Sequence, residues 1–141
     1  MPTVLYGCET WALTKSAETR LRSGQRRLER CLLKLRLLDE VSAKRIREKT
    51  RLTDWVEAAR RRKWRYAKKV SSFEDDRWTR HLTYYTPKAK RPLGRPRTRW
   101  ADSLNKFLKN KYDNDTADWK DFVVNDDWKE LEGHYIQGGQ I

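Results

Sequence analysis

The sequence predicts an all-α protein, a small assembly of about five to seven helices with a long N-terminal amphipathic helix and an exposed basic loop rich in proline and glycine. Three observations predict it. Apolar residues recur at helical steps of three and four through most of the chain; no stretch alternates apolar and polar residues as a half-buried strand does; and the prolines and most glycines fall between the periodic segments. A chain of 141 residues suits one domain, or a domain with appended elements, and can bury a moderate core.

The first helix is read from Leu13 to Leu38, where Ala17, Leu21, Gly24, Leu28, Cys31, Leu35 and Leu38 form one seam and Thr14 or Ser16 supplies the cap. Leu32, Leu33 and Leu37 widen the stripe near its end, which implies burial on two sides. The opposite face carries Arg20, Arg22, Arg26, Arg27, Arg30, Lys34 and Arg36, a row that a solvated helix face explains as well as a ligand does. Ser42 caps a short helix through Thr50 with Ile46 inward. Thr53-Asp54 starts a longer one that ends near Val70 and buries Leu52, Val56, Ala59, Ala67 and Val70. Asp75–Arg77 opens another short helix with Trp78, Leu82 and Tyr85 on one face, and Pro87 ends it. Thr98 starts a helix that buries Trp100, Leu104 and Leu108 or Phe107, and Asp113–Asp115 breaks it. Helical pieces around Thr116–Val123 and Asp126–Ile136 follow, and Gly138-Gly139 end the structure.

Charge is plentiful and uneven. The chain holds 33 Lys plus Arg against 20 Asp plus Glu, a net charge of +13. Residues 1–50 carry 12 cations and 6 anions, residues 51–100 carry 16 and 5, and residues 101–141 carry 5 and 9, so the middle of the chain is the part suited to a polyanion and the end is acidic. Two cysteines, Cys8 and Cys31, and two histidines, His81 and His134, do not have metal-ligand spacing, and no cofactor is expected. Cys31, on the apolar seam, is expected to be a reduced, buried thiol. No apolar run approaches a membrane span, the N-terminus lacks the regions of a signal peptide, and the basic runs Arg60–Lys63 and Lys88–Arg91 are candidate nuclear address signals; an intracellular, nuclear protein with no membrane partner is expected.

No catalytic residue is identified. A nucleophile needs an adjacent base, and a two-metal nuclease or polymerase needs clustered carboxylates. The pairs Asp75-Asp76, Asp113/Asp115 and Asp126-Asp127 each lie beside a turn or helix start, where capping accounts for them. The basic residues are more informative. In Gly94-Arg95-Pro96-Arg97-Thr98-Arg99-Trp100, Pro96 stiffens the backbone, and Arg95, Arg97 and Arg99 alternate, so that an extended segment would point them along a row of phosphates. The candidate nucleic-acid-binding residues are therefore these three together with Arg60, Arg61, Arg62, Lys63, Arg65, Lys68, Lys69, Lys90 and Arg91. Seven tryptophans mostly serve core packing; Trp64 and Trp100, flanked by cations, are the two candidates for base stacking.

The order of several short motifs resembles the C-terminal, thumb and post-polymerase region of the endonuclease/reverse transcriptase proteins of non-LTR retrotransposons. Leu5-Tyr6-Gly7-Cys8-Glu9-Thr10-Trp11 with Leu13-Thr14 is similar to the motif that follows the family's polymerase palm. Lys63-Trp64-Arg65-Tyr66-Ala67, Asp76-Arg77-Trp78, Gly94 through Asp102, and Trp128 through Leu131-Glu132 to Tyr135-Ile136-Gln137 resemble later landmarks in the same order. The chain departs from that pattern at Lys68-Lys69, where Gly-His would stand, and at Gly133-His134, where Glu-Ala is common. The resemblance implies residues 1–40 as a thumb-like segment with the long helix, 41–86 as a basic helical region, 87–98 as a basic loop and 99–141 as a C-terminal helical region. It also implies that the family's catalytic Tyr-Ala-Asp-Asp lies upstream of the Leu5–Trp11 motif, so that this chain is a truncated piece without the palm of an RNA-directed DNA polymerase and endonuclease. The expected function is binding of RNA or DNA through phosphates. Two alternatives are a helical interaction module that docks its Ala17–Leu38 seam on the polymerase part or another partner, and a sequence-specific DNA-binding protein reading bases with residues 54–70.

Overall fold

The computed structural model describes residues 3–74, 76–85, 93–94, 97–125 and 127–137, and among them it is all-α, with seven α-helices and no strand. The helices are α1 (Lys15–Leu32), α2 (Ala43–Thr50), α3 (Trp55–Ser71), α4 (Trp78–Tyr84), α5 (Asp102–Tyr112), α6 (Trp119–Phe122) and α7 (Asp127–Ile136), with 3-10 turns at Cys8–Thr10 and Leu37–Asp39.

The first three helices begin where their caps require. Thr14 Oγ1 accepts from Ala17 N at 3.2 Å, Ser42 Oγ from Arg45 N at 3.4 Å, and Asp54 Oδ1 from Val56 N at 2.8 Å, each closing an otherwise unpaired amide. The first helix is shorter than its apolar seam. Lys34 takes the left-handed conformation (φ 54°), and Leu35 N donates to Arg30 O at 2.9 Å, so the chain closes α1 with a Schellman turn. As a consequence Cys31, Leu32, Leu37 and Leu38 are exposed, which corrects the expectation of a buried seam, and a buried thiol, running on to Leu38. Nor does Thr98 cap α5. Ala101 holds the cap position, and the Asp102 carboxylate accepts from Arg99 N at 2.7 Å. The helical piece expected around Thr116–Val123 is the shorter α6, capped by Asp118, and Thr116 before it is held by Asn114 Oδ1 at 2.7–2.9 Å. The expected ends at Pro87 and Gly138-Gly139 lie outside the described residues.

α3 is the axis of the molecule. Its first half packs Trp55 and Ala59 against Leu5 and Cys8, with Trp11, Leu13, Leu21 and Leu28 around them. Its second half packs Trp64 and Ala67 against Leu104 and Leu108 of α5, Trp119, Val123, and Trp128, Leu131 and Tyr135 of α7. Trp64 and Trp128 stack at 3.7 Å between ring centroids with planes 9° apart, and each indole donates to the other's carbonyl, at 2.8 and 3.2 Å. Both polar handles are thus satisfied in the core, where an unpaired N–H would be costly. A Cβ at Gly24 would meet the Trp55 ring at 3.7 Å, an ordinary contact, so the approach of α1 to α3 does not depend on glycine there.

The α1–α3 contact has a polar centre that apolar periodicity does not reveal. Gln25, fully buried, accepts from Trp55 N at 2.8 Å and donates to Thr53 O at 3.0 Å and to Glu29 Oε1 at 2.9 Å. It closes another free amide at the start of α3. α1 and α3 are thereby fixed in register.

Candidate nucleic-acid interface

The basic run of α3 divides by helix face into cations that hold the fold and cations that face outward. Arg60 forms a two-pronged pair with Glu18 at 2.7 and 2.9 Å and donates to Ile136 O at 3.1 Å, linking α1, α3 and α7. Arg62 donates to Leu5 O at 2.9 Å, and Lys68 to Val123 O at 2.8 Å. Lys63 is 1% exposed. Its ammonium donates to Trp11 O at 3.2 Å and lies 5.2 Å from the centre of the Trp100 ring, and burial pushes its pKa down to about 8 while Asp102 opposes the shift. These four side chains are structural ties before anything else.

The remainder point to solvent. Arg61, Arg65 and Lys69, at steps of four, make one exposed ridge along α3. Arg65 also reaches Glu132 at 2.8 Å, whereas Arg61 and Lys69 have no carboxylate partner among the described residues. Arg97 is exposed and Arg99 half-buried. Lys90, Arg91 and Arg95 lie outside the described residues.

The two rings singled out for stacking meet different fates. Trp64 is enclosed by Trp128, Tyr135 and Phe107 and is closed to a base. Trp100 is half-buried, donates to Glu9 O at 2.7 Å, and has Tyr66 and Trp119 at its edges and Lys63 over its ring. Trp78 is the exposed tryptophan, together with Leu82 and Tyr85 of the same segment.

Sequence reasoning gave less weight to the cations of α1 and α2, although their spacing was the available signal. Arg22, Arg26 and Arg30 follow steps of four, and Lys44, Arg45 and Lys49 are exposed on α2; none has a carboxylate partner among the described residues. Among the described residues no group of three or more His, Cys, Asp or Glu could hold a metal ion, and no helix is long and apolar enough to cross a membrane.

No protein-family profile matches the chain, and no solved structure matches it. It is 32% identical over 113 residues to an uncharacterized transposon-derived protein of Caenorhabditis elegans, a match that covers 77% of this chain and 40% of the relative. The chain thus spans about two fifths of the length of the relative it matches, and the likeness supports a transposon origin.

Proposed function

We propose that this chain is the thumb and post-polymerase region of a retrotransposon reverse transcriptase, and that it grips RNA or DNA by the phosphate backbone. The transposon-derived relative and the ordered motifs from Leu5–Trp11 to Trp128–Gln137 support the first part. The observation that carries the second is the outward ridge of α3, where Arg61 and Lys69 keep their charge exposed and, among the described residues, unpaired, while neighbouring cations of the same run are tied to carbonyls and carboxylates. A ridge of point charges suits phosphates, which carry position and not sequence. α3 has α1, the N-terminal segment and α7 packed on its other sides, so it offers one edge and not a free cylinder to a groove. That favours backbone contact over base reading. In the whole protein such a grip would hold template RNA or target DNA during target-primed reverse transcription, which places the work in the nucleus.

The test is equilibrium binding of the purified chain to labelled RNA and DNA duplexes of unrelated sequence at low salt. Similar affinities for all are expected. The triple variant Arg61→Ala/Lys69→Ala/Arg97→Ala is expected to lose roughly tenfold or more. Absence of binding to any of these duplexes would refute the proposal.

A further inference from the structure

The cations of α1 and α2 meet across an open groove. It has a volume of about 520 Å³ and is lined by Arg26 of α1 and by Ala43, Lys44, Arg47 and Glu48 of α2. We infer that this groove is a second phosphate-backbone site, distinct from the α3 ridge, that receives one strand of a nucleic acid along α1. The inference rests on the nucleic-acid reading above and extends it to a surface which that reading does not use.

The disposition of the acids is the strongest reason. α1 has two carboxylates, and neither lines the groove: Glu18 holds Arg60, and Glu29 is buried with one oxygen on Gln25. Arg22, Arg26 and Arg30 therefore form a line with no acid on α1 to neutralise it, rising about 6 Å at each step of four residues. Opposite, Lys44 is exposed and without a carboxylate partner among the described residues, while Arg47 is held in place by Asp54 at 2.7 Å, the residue that caps α3. Ala43 keeps that wall low. Glu48 is the one anion of the lining and forms no ion pair among the described residues, so it would oppose an incoming phosphate.

The exposed Leu37 and Leu38 lie in the turn that follows α1 and are not part of the groove's lining. A phosphate strand needs an open mouth and the charges, which Arg26 and Lys44 supply.

Duplex binding as a function of salt tests the site with the intact chain. Arg26 and Lys44 are exposed and have no side-chain hydrogen bond or ion pair among the described residues, so Arg26→Ala/Lys44→Ala should melt like the wild type by circular dichroism. It should weaken binding at least about tenfold and reduce the slope of log K against log salt by about 1.8 on DNA. Glu48→Gln should bind more tightly. Lys106→Ala/Lys111→Ala, which removes the same charge from α5, should change the slope far less. If the wild type binds and the groove variant keeps its affinity and slope, or the α5 variant loses as much, the groove is no site although the proposed function stands. If the wild type binds no duplex, both fall together.

Discussion

Lys63 is the residue whose burial most changes the meaning of the sequence. Read in line, it is the centre of a basic run; in the fold its ammonium sits under Trp100 and donates to the carbonyl of Trp11, fifty-two positions away. Burial lowers its pKa to about 8, from an ordinary 10.5. The unfolded chain then holds this proton more tightly than the native one, so the cost of the buried charge is fully present below pH 8 and is relieved as pH rises from 8 toward 10.5. Over the lower part of that window the gain is on the order of 1–2 kcal/mol. Cys8, whose thiol burial pushes up, acts in the opposite sense at the alkaline end, and comparison with a variant removes it. Urea unfolding at pH 7.5 and 9.5 should show the wild type gaining stability relative to Lys63→Met by that amount. Equal pH dependence of the two proteins would show that Lys63 is not buried as a cation.

At the scale of elements, the parts legible in the sequence are those fixed by neighbours in the chain. Thr14, Ser42 and Asp54 cap the helices that they precede, and the stripe Val56, Ala59, Ala67 and Val70 is buried as its spacing implies, because a cap and an apolar period act within a few residues. Of the parts that were not legible, one is a local turn made without a glycine and the others depend on distant partners. Leu35 and Leu38 continue the period of Leu28 and Cys31, yet the Schellman turn at Lys34 ends the helix first. Gln25 and Glu29 look like ordinary polar positions until Thr53 and the start of α3 are set beside them. The candidate site divides in the same way: the positions of Arg60, Arg62, Lys63 and Lys68 follow from carbonyls and carboxylates far along the chain, whereas the exposure of Arg61 and Lys69 follows from helix period alone. The two thiols report the end of α1 directly. Cys31 is exposed and Cys8 buried, so a thiol reagent should label Cys31 readily and Cys8 only on unfolding, and mass spectrometry after brief labelling of the native chain distinguishes them. Protection of Cys31 in the monomer would mean that the seam is covered beyond Leu32.

For the molecule as a whole, one long helix joins two small cores, and the charge left over from holding them together is directed outward. The acidic C-terminal residues supply Glu132 to Arg65, and they leave the ridge of α3 and the faces of α1 and α2 positive. A second reading, docking on a protein partner, has the exposed Trp78, Leu82 and Tyr85 in its favour, but these lie apart from the basic ridges in the sequence and do not account for them. The two readings differ most in their response to salt, since apolar docking changes little over a range in which phosphate contacts are lost. The most direct measurement is the affinity of the wild-type chain for a DNA duplex and for an RNA duplex between 50 and 200 mM salt. With at least four phosphates engaged by Arg26, Lys44, Arg61 and Lys69, the account predicts a slope of log K against log salt of about −3.6 or steeper on DNA, and nearly the same affinity for a duplex of scrambled sequence. A flat salt dependence, or tight binding confined to one sequence, would contradict it.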